Sequence, residues 1–242
     1  MFETCYNKLN KSGNYKFDRA DHILQGVVMK RFILFLLVLG VGVSLFAQVQ
    51  LPEHHFATGS GNWGFIGDRL YQNDARSGLA KMDLRVPQSG PMLYEFNVRY
   101  EAGVEDGHGG FGIHLFADNV VNVASWGSGS SYLLWLNYDA SPVTRGFPSG
   151  FTAQVYRSFN NSSMDLVDSF DLNEYAYLLT YENVADPIPV KIYADGGSGE
   201  VRVYDPTDPA GEYYFYFYLP ERNLRGNWVS LRTNGLRLSF GQ

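Results

Sequence analysis

Beyond residue 50 the chain has no helix-length amphipathic stretch; short runs of alternating apolar and polar residues recur instead, separated by turn residues. In YEFNVRY (94–100), Tyr94, Phe96, Val98 and Tyr100 alternate with Glu95, Asn97 and Arg99. FGIHLF (111–116) sets Phe111, Ile113 and Leu115 against Gly112, His114 and Phe116. YLLWLNY (132–138) sets Tyr132, Leu134, Leu136 and Tyr138 against Leu133, Trp135 and Asn137, and FTAQVYR (151–157) sets Phe151, Ala153 and Val155 against Thr152, Gln154 and Tyr156. A period of two places residues i and i+2 on one side of a strand. Many such runs with turn signals between them predict an all-β, antiparallel two-sheet sandwich.

The C-terminal third adds its own signals. VKIYADGGSGEVRVY reads as a hairpin in which Val190 and Ile192 face Val201 and Val203 across an Asp195–Gly199 turn, with Lys191 and Arg202 toward solvent. In YYFYFYL (213–219), Phe215, Phe217 and Leu219 point inward and Tyr214, Tyr216 and Tyr218 outward. Asn234-Gly235 lies between WVSLRT and LRLSF and predicts a two-residue hairpin. The acidic stretch MDLVDSFDLNEY (164–175) reads as a short helix or an irregular connection, and GSGSS (127–131) as a flexible turn. No repeat or long linker divides the chain, so residues 48–242 are expected to form a single domain.

What precedes that domain has a different character. From Met29 the sequence runs MKRFILFLLVLGVGVSLFAQ: two basic residues, an uncharged apolar run from Phe32 to Phe46, and a cleavage point after Ala47. That is the layout of a cleavable signal peptide over residues 29–47. The run is shorter than the roughly 20 residues of a spanning helix, so no retained transmembrane segment is expected. A signal peptide starts at its initiator, and residues 1–28 therefore read as a non-native upstream extension, the alternative being a cytoplasmic tail ahead of a signal anchor. Periplasmic or extracellular localisation follows.

Without residues 1–47, 13 Lys and Arg face 22 Asp and Glu, and the net charge becomes −9 against −6 for the whole chain. A chain this acidic, with Lys81 and Lys191 as its only remaining lysines, lacks the basic stripe that nucleic acid requires. The one cysteine, Cys5, falls in the leader, which leaves the domain no disulfide, thiol nucleophile or cysteine-based zinc site. Burial alone must hold it together.

The order EYAYLLTYENV, IPVKIYADGGSGEVRVYDP, RGNWVSLRTNGLRLSFG resembles the C-terminal half of concanavalin A-like jelly-roll domains of the laminin-G type. GNWGFIGDRLYQND (61–74) is similar to the opening strand of that superfamily, and the three central runs to its middle sheet. The resemblance covers residues 56 to 241 and rests on aromatics and glycines, not on a catalytic signature. It implies a fold that hosts lectins, carbohydrate-binding modules, glucanases, lyases and adhesion or assembly modules.

A glucanase on this fold would need carboxylates in an E-x-D-x-E or E-x-D-x-x-E pattern on one strand, so that two of them flank one glycosidic bond. No such pattern occurs; Glu101 and Glu105 have Gly103 where the central Asp would stand, Asp165 with Asp168 and Asp171 with Glu174 are three apart, and all lie in expected connections. G-x-S-x-G, H-E-x-x-H and the P-loop are also absent. No enzyme activity is expected. Of the histidines beyond the leader, His54 and His55 lie near the new N-terminus and His108 falls in a glycine-rich turn, Val104–Gly110. The resemblance makes calcium the fitting metal, with Asp106, Asp118 and Asn119 as oxygen donors at the sheet rim.

The stronger lead is a surface. If the runs at 111–116, 132–138 and 151–157 are neighbouring strands, their non-core faces bring His114 and Phe116 beside Leu133, Trp135 and Asn137, then Gln154 and Tyr156. Aromatic rings stack on the CH faces of sugars, and planar amides pair with hydroxyls. His114, Phe116, Trp135, Asn137, Gln154 and Tyr156 are therefore the expected ligand-binding set of a non-catalytic carbohydrate-binding module. The competing expectation is a structural subunit of a periplasmic envelope or filament-sheath assembly, with a protein partner covering this face and the tyrosines at 214, 216 and 218. A polysaccharide-degrading enzyme stands third.

Overall fold

In the computed structural model the described residues are 56–103, 108–142, 147–174, 187–207 and 213–241. Residues 1–55, with the signal peptide expected over 29–47, lie outside them. Fourteen strands follow in chain order: β1 (Phe56–Ser60), β2 (Trp63–Ile66), β3 (Arg69–Gln72), β4 (Ala80–Ser89), β5 (Pro91–Gly103), β6 (His108–Ala117), β7 (Ser131–Asp139), β8 (Gly150–Ser158), β9 (Met164–Asp171), β10 (Ile188–Asp195), β11 (Glu200–Tyr204), β12 (Tyr213–Tyr218), β13 (Arg225–Asn234) and β14 (Leu236–Gly241). They form two seven-stranded antiparallel sheets. The first has the order β1-β4-β13-β6-β7-β8-β9 and the second β12-β11-β10-β5-β14-β3-β2. The expected all-β sandwich is the observed fold.

Alternation builds the core row by row. Across the first sheet Met82, Leu231, Ile113, Leu134 and Val155 stand opposite one another, and the next inward row includes Phe111, Leu136, Ala153 and Phe170. The second sheet answers with Val98, Ile192, Val201, Val203, Phe215, Phe217, Leu238 and Phe240. Phe170 stacks on Phe215 at 4.9 Å between ring centres, so the two layers meet aromatic to aromatic near one edge. Burying a side chain of this size contributes about 1.5–3 kcal/mol.

Three expectations are corrected. Asn234-Gly235 does not close a hairpin: β13 pairs with β4 and β6, whereas β14 pairs with β5 and β3, so the dipeptide carries the chain from one sheet to the other. Gly235 still supplies the left-handed backbone (φ 67°) that Asn-Gly promises. Both edges of β13 are already occupied, and the turn bridges the layers instead. Its carbonyl lies 2.4 Å from where a β-carbon on Gly103 would stand, an approach that only glycine permits there.

The acidic stretch at 164–175 is neither helix nor loop over most of its length. Its first eight residues are edge strand β9, paired with β8. A register shift between Val155↔Asp168 and Tyr156↔Leu166 accommodates Val167, and Asp165, Asp168 and Asp171 remain exposed. Charges along an edge strand discourage pairing with another chain. GSGSS, finally, is a buried, hydrogen-bonded passage, described below.

Candidate functional site

The strands expected to be neighbours, β6, β7 and β8, are consecutive in the first sheet. On its outer face one row runs Asp83, Ser230, His114, Leu133 and Tyr156; the next runs Lys81, Arg232, Gly112, Trp135 and Gln154; a third runs Asn234, Gly110, Asn137 and Thr152. Five of the six residues singled out from the sequence share this face: His114, Trp135, Asn137, Gln154 and Tyr156.

Phe116 does not. Between Trp228↔Ala117 and Ser230↔His114 the β6 strand carries one residue more than β13, a bulge that reverses the alternation. Phe116 adopts φ 57° and turns into the core, where it is 2 % exposed. Its N–H donates to the side-chain oxygen of Gln88 at 2.9 Å; the same oxygen accepts from the Tyr94 hydroxyl, while the Gln88 amide donates to the Trp228 carbonyl. The left-handed conformation of a bulky residue costs about 1–3 kcal/mol, which burial of the ring and these bonds offset. Gly226 passes so close that a β-carbon there would lie 2.3 Å from the Phe116 carbonyl carbon.

Most of this face is not open to solvent. Trp135, expected to be an exposed floor, is 7 % exposed. Its ring lies against Gly110 and Gly112 of β6, where β-carbons would stand 2.6 and 2.8 Å from indole atoms. Those glycines let a tryptophan on the neighbouring strand lie down across them. The Arg232 guanidinium is 5.1 Å from the centre of the Trp135 ring and 5.1 Å from that of Trp126, a cation between two indoles.

Trp126 was not singled out from the sequence. It belongs to the β6–β7 connection, residues 118–130, which crosses the outer face over β4 and β13. The Trp126 carbonyl accepts from the Arg232 guanidinium, and Lys81 donates to the Ser125 hydroxyl (2.9 Å) and the Gly127 carbonyl (3.2 Å). Farther along, the connection is tied down by many bonds. The Gly127 N–H donates to the Asn161 carbonyl and the Ser128 N–H to the Ser158 hydroxyl, which itself donates to the Gly129 carbonyl. The Ser128 and Ser230 hydroxyls are 3.0 Å apart. GSGSS is thus a fixed seam rather than a flexible turn, its glycines allowing close backbone approach. The Trp126 side chain stays outside, 55 % exposed. A tryptophan flanked only by small residues in ASWGSGSS has no sequence neighbours to bury it, and that was the available signal.

Burial governs the charges beneath the connection. Arg232 is lowered to about 10 by desolvation, and Lys81 is lowered by desolvation and by Arg232 beside it. Desolvation raises Asp83, although the Ser230 hydroxyl donates to its carboxylate. His114 is wholly buried and held well below the ordinary imidazole value by desolvation, with Arg232 and Lys81 adding to the effect. Its Nδ1 is 3.0 Å from the Ser131 hydroxyl, and its Nε2 has no hydrogen-bond partner among the described residues. His114 is therefore a neutral interior group, not an exposed one.

Beside this covered zone the face carries half-exposed Asn137 and Tyr156. The Tyr156 hydroxyl donates to Gln154 (2.7 Å), and Gln154 donates to Thr152 (3.1 Å), so this amide, expected to face a ligand, is buried at 7 % exposure and fixed by its neighbours. Of the proposed calcium donors, Asp106 lies outside the described residues. Asp118 and Asn119 are exposed; Asp118 accepts from the Ser130 N–H and lines an open rim depression of about 340 Å³ with Gln88 and Arg225. Among the described residues no three His, Cys, Asp or Glu side chains come together. His108 lies in β6, not in a turn, and its Nε2 is 3.0 Å from the Asp139 carboxylate across the ladder.

No protein-family model matches the sequence, and no curated protein matches it. Solved structures share the architecture. The carbohydrate binding module CBM66 from Bacillus subtilis superposes with a TM-score of 0.50 at 12 % identity, over 78 % of this chain and 92 % of that one. The Emp47p carbohydrate recognition domain gives 0.47 at 13 % identity over 82 % and 92 %. A legume lectin-like domain from Entamoeba histolytica gives 0.49 at 7 % identity over 77 % and 86 %. At these identities the likeness is one of fold.

Proposed function

We propose that this protein is an exported, non-catalytic carbohydrate-binding module that holds its glycan on the outer face of the first sheet. The observation that carries this reading is Trp126, an exposed indole backed by the Arg232 guanidinium, over the face that carries the half-exposed Tyr156 and Asn137. An apolar ring face with a planar amide and a phenol fits the alternating CH and OH surfaces of a sugar. The likeness to the Bacillus subtilis carbohydrate binding module supports it at the level of fold. The basic and apolar segment at 29–47 supports export to the periplasm or beyond. Absence of the paired-carboxylate spacing supports binding without cleavage.

Pull-down on a panel of insoluble and immobilised polysaccharides tests the reading. Retention on at least one glycan, abolished in Trp126→Ala and without release of reducing ends, is the expected result. A protein retained by none of them would overturn it.

One observation favours a second reading, a structural subunit of an envelope assembly with a protein partner. Tyr216 and Tyr218, each 55 % exposed, project from edge strand β12 of the second sheet. Cross-linking in the native envelope separates the two: capture of a stoichiometric protein partner through β12 supports assembly.

A further inference from the structure

Resting on the carbohydrate-binding reading, we propose that its ligand is an acidic sugar, and that Arg232 and Lys81 receive the sugar carboxylate once residues 119–126 are displaced. Three observations carry this.

The first is an unbalanced charge. Lys81 and Arg232 stand opposite each other on β4 and β13, are 0 % and 2 % exposed, and have only hydroxyl and carbonyl oxygens as acceptors among the described residues. The one buried carboxylate beside them, Asp83, attracts Lys81 and accepts from Ser230, which leaves two cations against one carboxylate. Two cations taken out of water beside each other, in a domain that is otherwise strongly acidic, favour an anion. Carbonyl and hydroxyl oxygens are weaker partners for a guanidinium fork and an ammonium than a carboxylate would be.

The second is donor capacity left unused. The Arg232 Nε–H is buried without a partner among the described residues. An unmade bond at a buried donor is expensive, and an incoming oxygen would satisfy it.

The third is how the cover is attached. The bonds that anchor the connection to the β8–β9 turn begin at Gly127. Ahead of it, the described hydrogen bonds from residues 119–126 to the sheet are those of Ser125 to Lys81 and Trp126 to Arg232. The remaining ones, Val123 to Val121, Ser125 to Val123 and Ser125 to Gly127, stay within the connection. The two cations therefore hold this cover, and a ligand that takes the cations releases it. Trp126, freed from the guanidinium, then closes on the sugar ring.

Calorimetric titration of the purified protein with oligogalacturonate, a neutral β-glucan oligosaccharide and dextran sulfate tests the proposal. Oligogalacturonate is expected to bind at least tenfold more tightly than the neutral oligosaccharide, and Arg232→Lys, which keeps the charge but loses the fork, to weaken it about tenfold. Because the closed cover competes with ligand, Ser125→Ala is expected to tighten oligogalacturonate binding severalfold. That loop variant keeps the test valid should Arg232→Lys fold poorly. Equal binding of dextran sulfate that disappears at moderate salt would reduce the effect to general charge attraction and overturn the proposal, as would Ser125→Ala with unchanged affinity. Binding of the neutral oligosaccharide alone would overturn it and leave the carbohydrate reading standing. Binding of none of the three, with no glycan retained in the pull-down, would remove both.

Discussion

The outer faces of the two sheets are written in the same alternating code but have opposite fates. On the second sheet, Arg202 lies over Tyr193 and is paired with Glu200, Lys191 lies over Tyr204 near Glu95, and Tyr216 and Tyr218 extend into solvent. These two cations have carboxylate partners and remain partly hydrated, an arrangement worth little to stability. On the first sheet, Lys81, Asp83, His114 and Arg232 are sealed under one connection. Polar residues at alternate positions thus say which side of a strand faces away from the core. Whether water reaches that side depends on what crosses it, and here a connection thirteen residues long decides.

Perturbations should separate the faces, beginning with the strongest. Trp135→Ala removes a buried indole that packs on Gly110 and Gly112 and supports Arg232, and is expected to cost about 3–5 kcal/mol in chemical denaturation. A loss below about 1 kcal/mol would mean that the face is open after all. Gly226→Ala drives a methyl group into the Phe116 backbone, and a loss of about 3 kcal/mol is expected. A neutral outcome would argue against the bulge that turns Phe116 inward.

His114 gives a pH signature. Its folded value lies below the unfolded 6.5, so the unfolded chain binds the extra proton first, and stability is lost as pH falls below about 6.5 toward the folded value. The slope from this one group is at most about 1.4 kcal/mol per pH unit. His114→Asn removes that slope, while Asp83, whose raised value acts in the opposite direction, contributes to both proteins alike. Identical pH profiles from urea melts of the two proteins would contradict a buried neutral imidazole. Smallest of all, Tyr216→Ser and Tyr218→Ser on the second sheet are expected to change stability by less than about 0.5 kcal/mol each.

Much of the fold is legible in the sequence because a period of two is a local property. The inward sets of β6, β7, β8 and β12 follow from it, as does the hairpin of β10 and β11, although Ala194 and not Val190 faces Val201, and Val190 stands opposite Phe96 of β5. The departures share a physical origin in non-local contacts. Asn234-Gly235 bridges two sheets because other strands occupy both edges of β13. Phe116 turns inward because Gln88, twenty-eight residues away, accepts its N–H. The acidic run at 164–171 pairs because β8 offers a free edge. Of the candidate site, the shared face of His114, Trp135, Asn137, Gln154 and Tyr156 is legible, whereas the inward turn of Phe116, the burial of His114, Trp135 and Gln154, and the cover are not: Trp126 gains its place from Arg232, which lies 106 positions downstream.

The contrast between the two tryptophans tests the central claim most directly. Trp126→Ala and Trp135→Ala, measured together for polysaccharide retention and for unfolding free energy, should divide the two roles. Trp126→Ala is expected to lose retention with stability within about 1 kcal/mol of the parent, since its ring is 55 % exposed, whereas Trp135→Ala loses stability first. A Trp126→Ala protein that retains full glycan binding would contradict it.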